Sequence, residues 1–417
     1  MYIPRAVEDT IRKISKTTPV LLVTGARQVG KTTLLSKLAE PNRDYVTLDD
    51  PRARYMAKTD PAMFAQRYRP PIIIDEIQYA PEILPYIKMS VDKSQERGGY
   101  WLTASQTFHV MKYVSEYLAG RVGILKLAGF SQSELAGIPS EPFTTDSERL
   151  LARMKIAKKM ELPEIYERIW RGSMPVLYSE NPRGLPELYG DFVNTYLARD
   201  IRDLSQVGEE LTFLDFLKVV AARTAKPLVY EEIAREVQIS APTAKKWMSV
   251  LVSSGVVALV RPYHNDVLKR MVKMPLLHFL DTGLAAYLLG WESPEVLARG
   301  AMSGPFFETF VFSEIYKSFI NAGQQPPLYY YRDRDQKEIG LLIYKNGTLY
   351  PIEIKKSATP SAQTVKNFSL LKPVTEPERF GELERLKIDI GPGSVICLID
   401  DLLPVDRQNW FVPAWLI

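Results

Sequence analysis

Gly25-Ala26-Arg27-Gln28-Val29-Gly30-Lys31-Thr32 sets two glycines, a lysine and a threonine at the spacing that wraps a chain around a phosphate group. Glycine lets successive backbone N–H groups point into one concavity, and a helix start adds partial positive charge. Lys31 is placed to reach the β- and γ-phosphates of a nucleoside triphosphate, the Thr32 hydroxyl to ligate Mg²⁺, and Thr33 to continue into the helix. A second group closes an apolar run at Asp75-Glu76, with Asp75 placed to hold Mg²⁺ opposite Thr32 and Glu76 to polarise an attacking water. Thr103 and Ser105, in Thr103-Ala104-Ser105-Gln106, put hydroxyls between the loop and the acidic pair. There they sense a γ-phosphate or orient water, or else they cap a turn. Arg121 follows Gly120 and precedes another apolar run. It reads either as an arginine finger, in cis or from a neighbouring subunit, or as the partner of Glu116 or Glu134. ATP and Mg²⁺ are the cofactors this chemistry calls for.

Such residues need a scaffold that brings strand ends together. Val20–Val23 before the loop, Tyr45–Leu48, Pro71–Asp75, Tyr100–Thr103 and Val122–Leu127 are short apolar runs separated by helical patterns. Residues 72–74, apolar throughout, read as a strand buried on both faces. The expectation is a doubly wound parallel sheet in an α/β P-loop domain over residues 1–137. Ile138 to Ser147 reads as a linker opening a helical segment to 215, a winged-helix-like module is expected over 216–275, and a small α/β core over 276–417.

The chain has 417 residues, enough for about two to four domains, with the 46% apolar and 24% charged content of a globular protein. A single cysteine, Cys397, excludes a disulfide framework, and three scattered histidines argue against a histidine-built metal site. No apolar run approaches the ~20 residues that span a bilayer, and the N-terminus does not read as a signal peptide, so a cytoplasmic protein is expected. The formal net charge of +4 is mild, so any nucleic-acid contact has to come from a local patch.

Gly25 to Thr32, Ile74-Asp75-Glu76-Ile77-Gln78 followed by Pro81, Leu102 to Gln106, and Leu118-Ala119-Gly120-Arg121 together resemble one AAA+-type ATPase family of bacteria and archaea. Its members are of this length and carry a C-terminal region usually labelled a domain of unknown function. The resemblance implies ATP binding and hydrolysis and brings no defined biological role. Ala104 stands where that family more commonly has glycine.

Farther along, Val229 to Val237 and a second helix capped by Ser240 read as a helix-turn-helix, with Lys245 and Lys246 pointing outward. A following strand and basic Arg261, Lys269, Arg270 and Lys273 suit a wing beside a DNA backbone; protein docking or a spacer are the competing readings. Pro305 to Ala322 reads as a helix with Glu308 on its apolar face, and Asn346-Gly347 as a hairpin turn. In that register Gly340 falls opposite Glu353, and Glu338 opposite Lys355. Glu353-Ile354-Lys355 on the second strand resembles the core of restriction-endonuclease-like nucleases, which place an Asp where this chain has Gly340. The resemblance implies a vestigial site of Glu308, Glu338, Glu353 and Lys355, with Glu338 expected to pair with Lys355. The readings of the whole are an ATPase with a DNA-contacting module and a degenerate nuclease core, an ATP-controlled DNA nuclease, or an ATP-driven protein-interaction switch. A homo-oligomer is expected if Arg121 acts in trans.

Overall fold

The computed structural model describes residues 2–94, 96–105, 107–196, 210–263, 274–333, 335–371 and 388–417. Gln106, His264, Lys269, Arg270, Lys273 and the end of the Asp191–Asp203 stretch lie outside the described residues.

The first half is built on strands β1 (Val20–Thr24), β2 (Asp44–Thr47), β3 (Ile72–Asp75), β4 (Tyr100–Ala104) and β5 (Val122–Lys126), in the order β2-β3-β4-β1-β5. Every pair is parallel. Side chains of alternate residues leave opposite faces of such a sheet, so each face requires its own cover. Val20, Leu22, Ile72, Ile74 and Leu102 pack under α3 (Pro51–Thr59), α4 (Pro61–Arg67), α5 (Leu84–Ser94) and α6 (Thr107–Tyr117). Leu21, Val23, Ile73, Trp101 and Leu125 face the other way, toward α1 (Glu8–Thr17) and α2 (Lys31–Leu38).

Beyond α7 (Gln132–Ala136) the chain is helical through α8 (Ser147–Met154), α9 (Leu162–Arg171), α10 (Leu185–Tyr196) and α11 (Glu210–Ala221). After the short strand β6 (Lys226–Pro227) comes the helix pair α12 (Tyr230–Val237) and α13 (Ala241–Ser253), the latter capped by Ser240 accepting from the Thr243 N–H. Strands β7 (Val257–Pro262) and β8 (Leu276–Phe279) pair antiparallel. Next come α14 (Thr282–Leu288), α15 (Pro294–Arg299) and the long α16 (Ser303–Asn321), whose Val311, Phe312, Ile315 and Phe319 are buried.

The last sheet adds β9 (Leu328–Arg332), β10 (Glu338–Lys345), β11 (Thr348–Ile354), β12 (Asp389–Ile390), β13 (Ser394–Cys397), β14 (Leu403–Pro404) and β15 (Trp410–Pro413). Asn346 and Gly347 both take positive φ and close the β10–β11 hairpin with Lys345 opposite Thr348. β7 pairs parallel with β9, so one mixed sheet runs without a break from the helix-turn-helix segment into the C-terminal core. Periodicity along single strands carries no sign of that join.

Candidate active site

The loop after β1 is shaped by two glycines. A Cβ on Gly25 would fall 2.1 Å from the Leu127 carbonyl oxygen, at a backbone φ of +152°. Gly30, at φ +89°, turns the chain into α2. Lys31 is buried, and its Nζ donates to the carbonyl oxygens of Gly25 and Ala26 at 3.0 Å each. The ammonium thus lies across the loop, where an anion cradled by the loop would meet it.

Behind the loop stands Arg5, which the motif reading did not single out. Its Nη1 donates to the Val29 carbonyl at 3.0 Å and Nη2 to the Ala128 carbonyl at 2.7 Å. Its Nε pairs with Glu134 Oε1 at 2.9 Å, with both side chains almost fully buried. Glu134 also closes a capping box with Ser131 at the start of α7. The Ser131-x-x-Glu134 spacing signals that cap in the sequence; its buried arginine has no local signal. Beside Gly30 and Thr33, residues Tyr2, Ile3, Pro175 and Tyr178 line a pocket of about 300 Å³.

Asp75 gathers the next group. Its Oδ1 accepts from Thr32 Oγ1 at 2.8 Å and from Thr103 Oγ1 at 2.7 Å, while Oδ2 accepts from the Tyr45 hydroxyl at 3.2 Å. Tyr45 was missed from the sequence because an edge-strand tyrosine has many uses. A hydroxyl and a carboxylate oxygen held this close are the hard oxygen donors Mg²⁺ prefers, so Thr32 and Asp75 fit the ion.

Glu76 sits in the left-handed region at φ 57°, uncommon for a residue with a side chain. Its N–H donates to Thr103 Oγ1 at 2.9 Å. Its Oε2 accepts from Ser105 Oγ at 2.8 Å, from the Ser105 N–H at 3.2 Å, and from the Gln78 amide. Burial pushes the Glu76 carboxyl up, but Lys31, the bonds from Gln78 and Ser105, and Arg27 together bring it below the usual carboxylate range. Lys31, Thr32, Asp75, Glu76, Thr103 and Ser105 therefore converge on one strand-end cleft.

Arg121 does not join them in its own chain. Val20 is in register with Val122, so Arg121 lies at the start of β5 while the phosphate loop leaves the far end of β1. Five residues of strand, roughly 16 Å, separate the two. Neither Glu116 nor Glu134 is its partner: Nε and Nη2 bond Asp92 Oδ1 and Oδ2 at 2.5 and 3.0 Å.

In the C-terminal core, Glu308, Gly340, Glu353 and Lys355 do come together. Glu308 Oε1 would lie 3.9 Å from a Cβ placed on Gly340. Lys355 Nζ pairs with Glu353 Oε1 at 2.7 Å, which corrects the expected pairing with Glu338. Glu338 bonds Arg332 instead (Nε–Oε2 2.8 Å), because the two are directly opposite across β9 and β10. Burial first, then Glu353 and Glu338, push the Glu308 carboxyl up to about 8 against the pull of Lys355. Burial also raises Glu353 in spite of Lys355. Among the described residues no group of three His, Cys, Asp or Glu is arranged to hold a metal ion.

Comparison with known proteins finds three matched stretches of the chain. Residues 17–136 match the family model of an AAA domain. Residues 162–295 and 303–417 match two domains of unknown function, DUF8612 and DUF4143. An uncharacterised protein of Mycobacterium tuberculosis is 26% identical over 354 residues, 84% of this chain and 73% of its own length. One from Mycobacterium bovis matches with the same figures. Among solved structures, a Walker-type ATPase of Pyrococcus abyssi aligns over 69% of this chain and 96% of its own, at 14% identity and a TM-score of 0.41. The Holliday junction branch migration motor RuvB of Thermotoga maritima aligns over 61% and 85%, at 16% identity and a TM-score of 0.28.

Proposed function

We propose that this chain, which joins a P-loop AAA-type ATPase domain to a C-terminal domain of unknown function, is an Mg²⁺-dependent ATPase. The observation that carries the reading is the pair of hydroxyls, Thr32 and Thr103, on the one Asp75 oxygen, with Lys31 lying across the loop beside them. Thr32 and Asp75 would hold Mg²⁺, which when bound neutralises phosphate charge. Lys31 meets the β- and γ-phosphates, and the pocket beside Gly30 and Thr33 receives the base. Glu76 takes the proton of the attacking water at a carboxylate oxygen. To do so it gives up bonds from Ser105 and Gln78, since a carboxylate held by several donors is a weak base. The test is turnover and nucleotide titration with Lys31→Ala and Glu76→Gln. The first removes binding; the second retains binding and stalls hydrolysis. Turnover by Glu76→Gln at the parent rate removes Glu76 as the base.

Contact with DNA through residues 216–275 is a second reading, supported by Lys245 and Lys246 standing exposed on α13. Duplex binding that weakens steeply with salt supports it, and its absence together with absence of cleavage leaves the protein-interaction switch. For the C-terminal core we favour a nuclease-like scaffold that does not cut. Gly340 supplies no second strand carboxylate, and Lys355 is occupied by Glu353. Two carboxylates with no fixed third oxygen hold Mg²⁺ poorly in the geometry that activates water. Nicking of plasmid by the parent with Mg²⁺ or Mn²⁺, lost in Glu353→Ala, would overturn this and favour the ATP-controlled nuclease.

A further inference from the structure

The phosphate loop is approached by parts of the chain from outside its own domain. β5 ends at Lys126, in register with Thr24, the last residue of β1 before the loop. Alternation along β5 sends Lys126 to the face of Val122 and Ile124, opposite Leu125 in the large core. The Lys126 ammonium has no carboxylate partner among the described residues. It donates to the Tyr316 hydroxyl of α16 at 3.3 Å and stands 5.6 Å from the centre of that ring. From another side comes the turn that ends α13. A methyl group built on Gly255 would lie 3.3 Å from Lys126 Cε, 3.7 Å from its Nζ and 3.9 Å from the Ala26 backbone nitrogen. One methyl-sized gap thus separates the ammonium, the phosphate loop and the turn. Gly255, at φ +76°, is the residue type that leaves this gap open.

A partly buried ammonium carries a desolvation cost that an aromatic face and one hydroxyl offset only in part. Beside a loop built for phosphates, the missing counter-charge is the ligand's. We propose that Lys126 is a second phosphate-facing cation of the nucleotide site, directed at the terminal phosphate and held there by Tyr316. The proposal rests on the ATPase reading above and adds that the C-terminal helix α16 takes part in telling ATP from ADP. Arg121, bound to Asp92 at the other end of β5, leaves that role open within the chain.

Calorimetric titration of the full chain with ATPγS and with ADP, each with Mg²⁺, tests this. Lys126→Met weakens ATPγS by about tenfold or more, the size of a lost charge-assisted bond, and ADP by much less. Lys126→Arg retains most of the preference, and Tyr316→Phe lowers it in the same direction at an unchanged Tm. Unchanged ATPγS affinity in Lys126→Met, or equal losses for both nucleotides, overturns the proposal and leaves Lys126 a structural contact. If Lys126→Met does not fold, Tyr316→Phe decides: an unchanged ATPγS-to-ADP ratio overturns it. A parent that binds neither nucleotide, or a Lys31→Ala variant that binds like the parent, sinks the ATPase reading instead.

Discussion

Thr103→Val is the substitution that isolates what a single hydroxyl does at the strand ends. Valine matches the shape of threonine, so the fully buried site neither opens nor overfills. What is lost is one oxygen that donates to Asp75 at 2.7 Å and accepts from the Glu76 N–H at 2.9 Å. A bond to a charged group contributes about 1.5–3 kcal/mol and a neutral one about 1, so the variant should be about 2–4 kcal/mol less stable. Glu76 also loses the anchor of its left-handed backbone, a conformation that costs about 1–3 kcal/mol to hold. Relaxation there moves the carboxylate, and a shift near 1 Å costs roughly 10²-fold in turnover. Urea unfolding and kcat at saturating ATP and Mg²⁺ are compared for Thr103→Val and Thr103→Ser, the latter keeping the oxygen. A valine variant with the stability and kcat of the serine variant refutes the role assigned to the hydroxyl.

Three further outcomes are expected. Tyr45→Phe removes the donor to Asp75 Oδ2 from a phenol whose pKa burial and Asp75 push up to about 12; the Mg²⁺ concentration for half-maximal turnover should rise, with metal-free nucleotide affinity unchanged. Glu308, raised to about 8, is protonated in the folded state at neutral pH and contributes stability below the ordinary carboxylate range that is lost as pH rises through about 8. Thermal melts should therefore show Glu308→Gln level with the parent near pH 5 and more stable than it, by roughly 1 kcal/mol or more, at pH 9. Arg121→Ala should leave turnover per subunit unchanged at every protein concentration, since its guanidinium is engaged by Asp92; a drop that grows with concentration would restore the trans role.

The parallel sheet and the acidic strand end were legible because both are local. Ile72–Ile74 needs cover on two faces, and Gly25 to Thr32 spells a turn whose backbone angles few other residues take. The Asn346-Gly347 turn likewise set the hairpin register that brings Gly340 toward Glu353. What escaped were partners remote along the chain. Arg5 and Glu134 are 129 residues apart, and no periodicity ties an arginine near the start to a cap after β5. The sequence left Arg121 open between a finger and a carboxylate tether, because a Gly-Arg before a strand does not say which end of the sheet it occupies or that Asp92 is its partner. The Glu338–Lys355 pairing failed for a related reason: alternation names a face, and Arg332 on a third strand reached Glu338 first.

The large core on the α1 side of the first sheet has a bearing on how this chain can be cut. Leu21, Val23 and Leu125 of the P-loop domain share one continuous apolar cluster with Trp247 of α13, Phe312 of α16 and Leu416 near the C-terminus. Thr10 bonds the Asn321 carbonyl, Gln132 bonds Glu314, and Lys317 bonds the Phe130 carbonyl across the same seam. Scission after residue 137 would expose that seam to water on both fragments. The stretches 17–136, 162–295 and 303–417 are therefore poor candidates for separate expression or for grafting onto other proteins, and a transplanted P-loop domain would have to bring its neighbours with it.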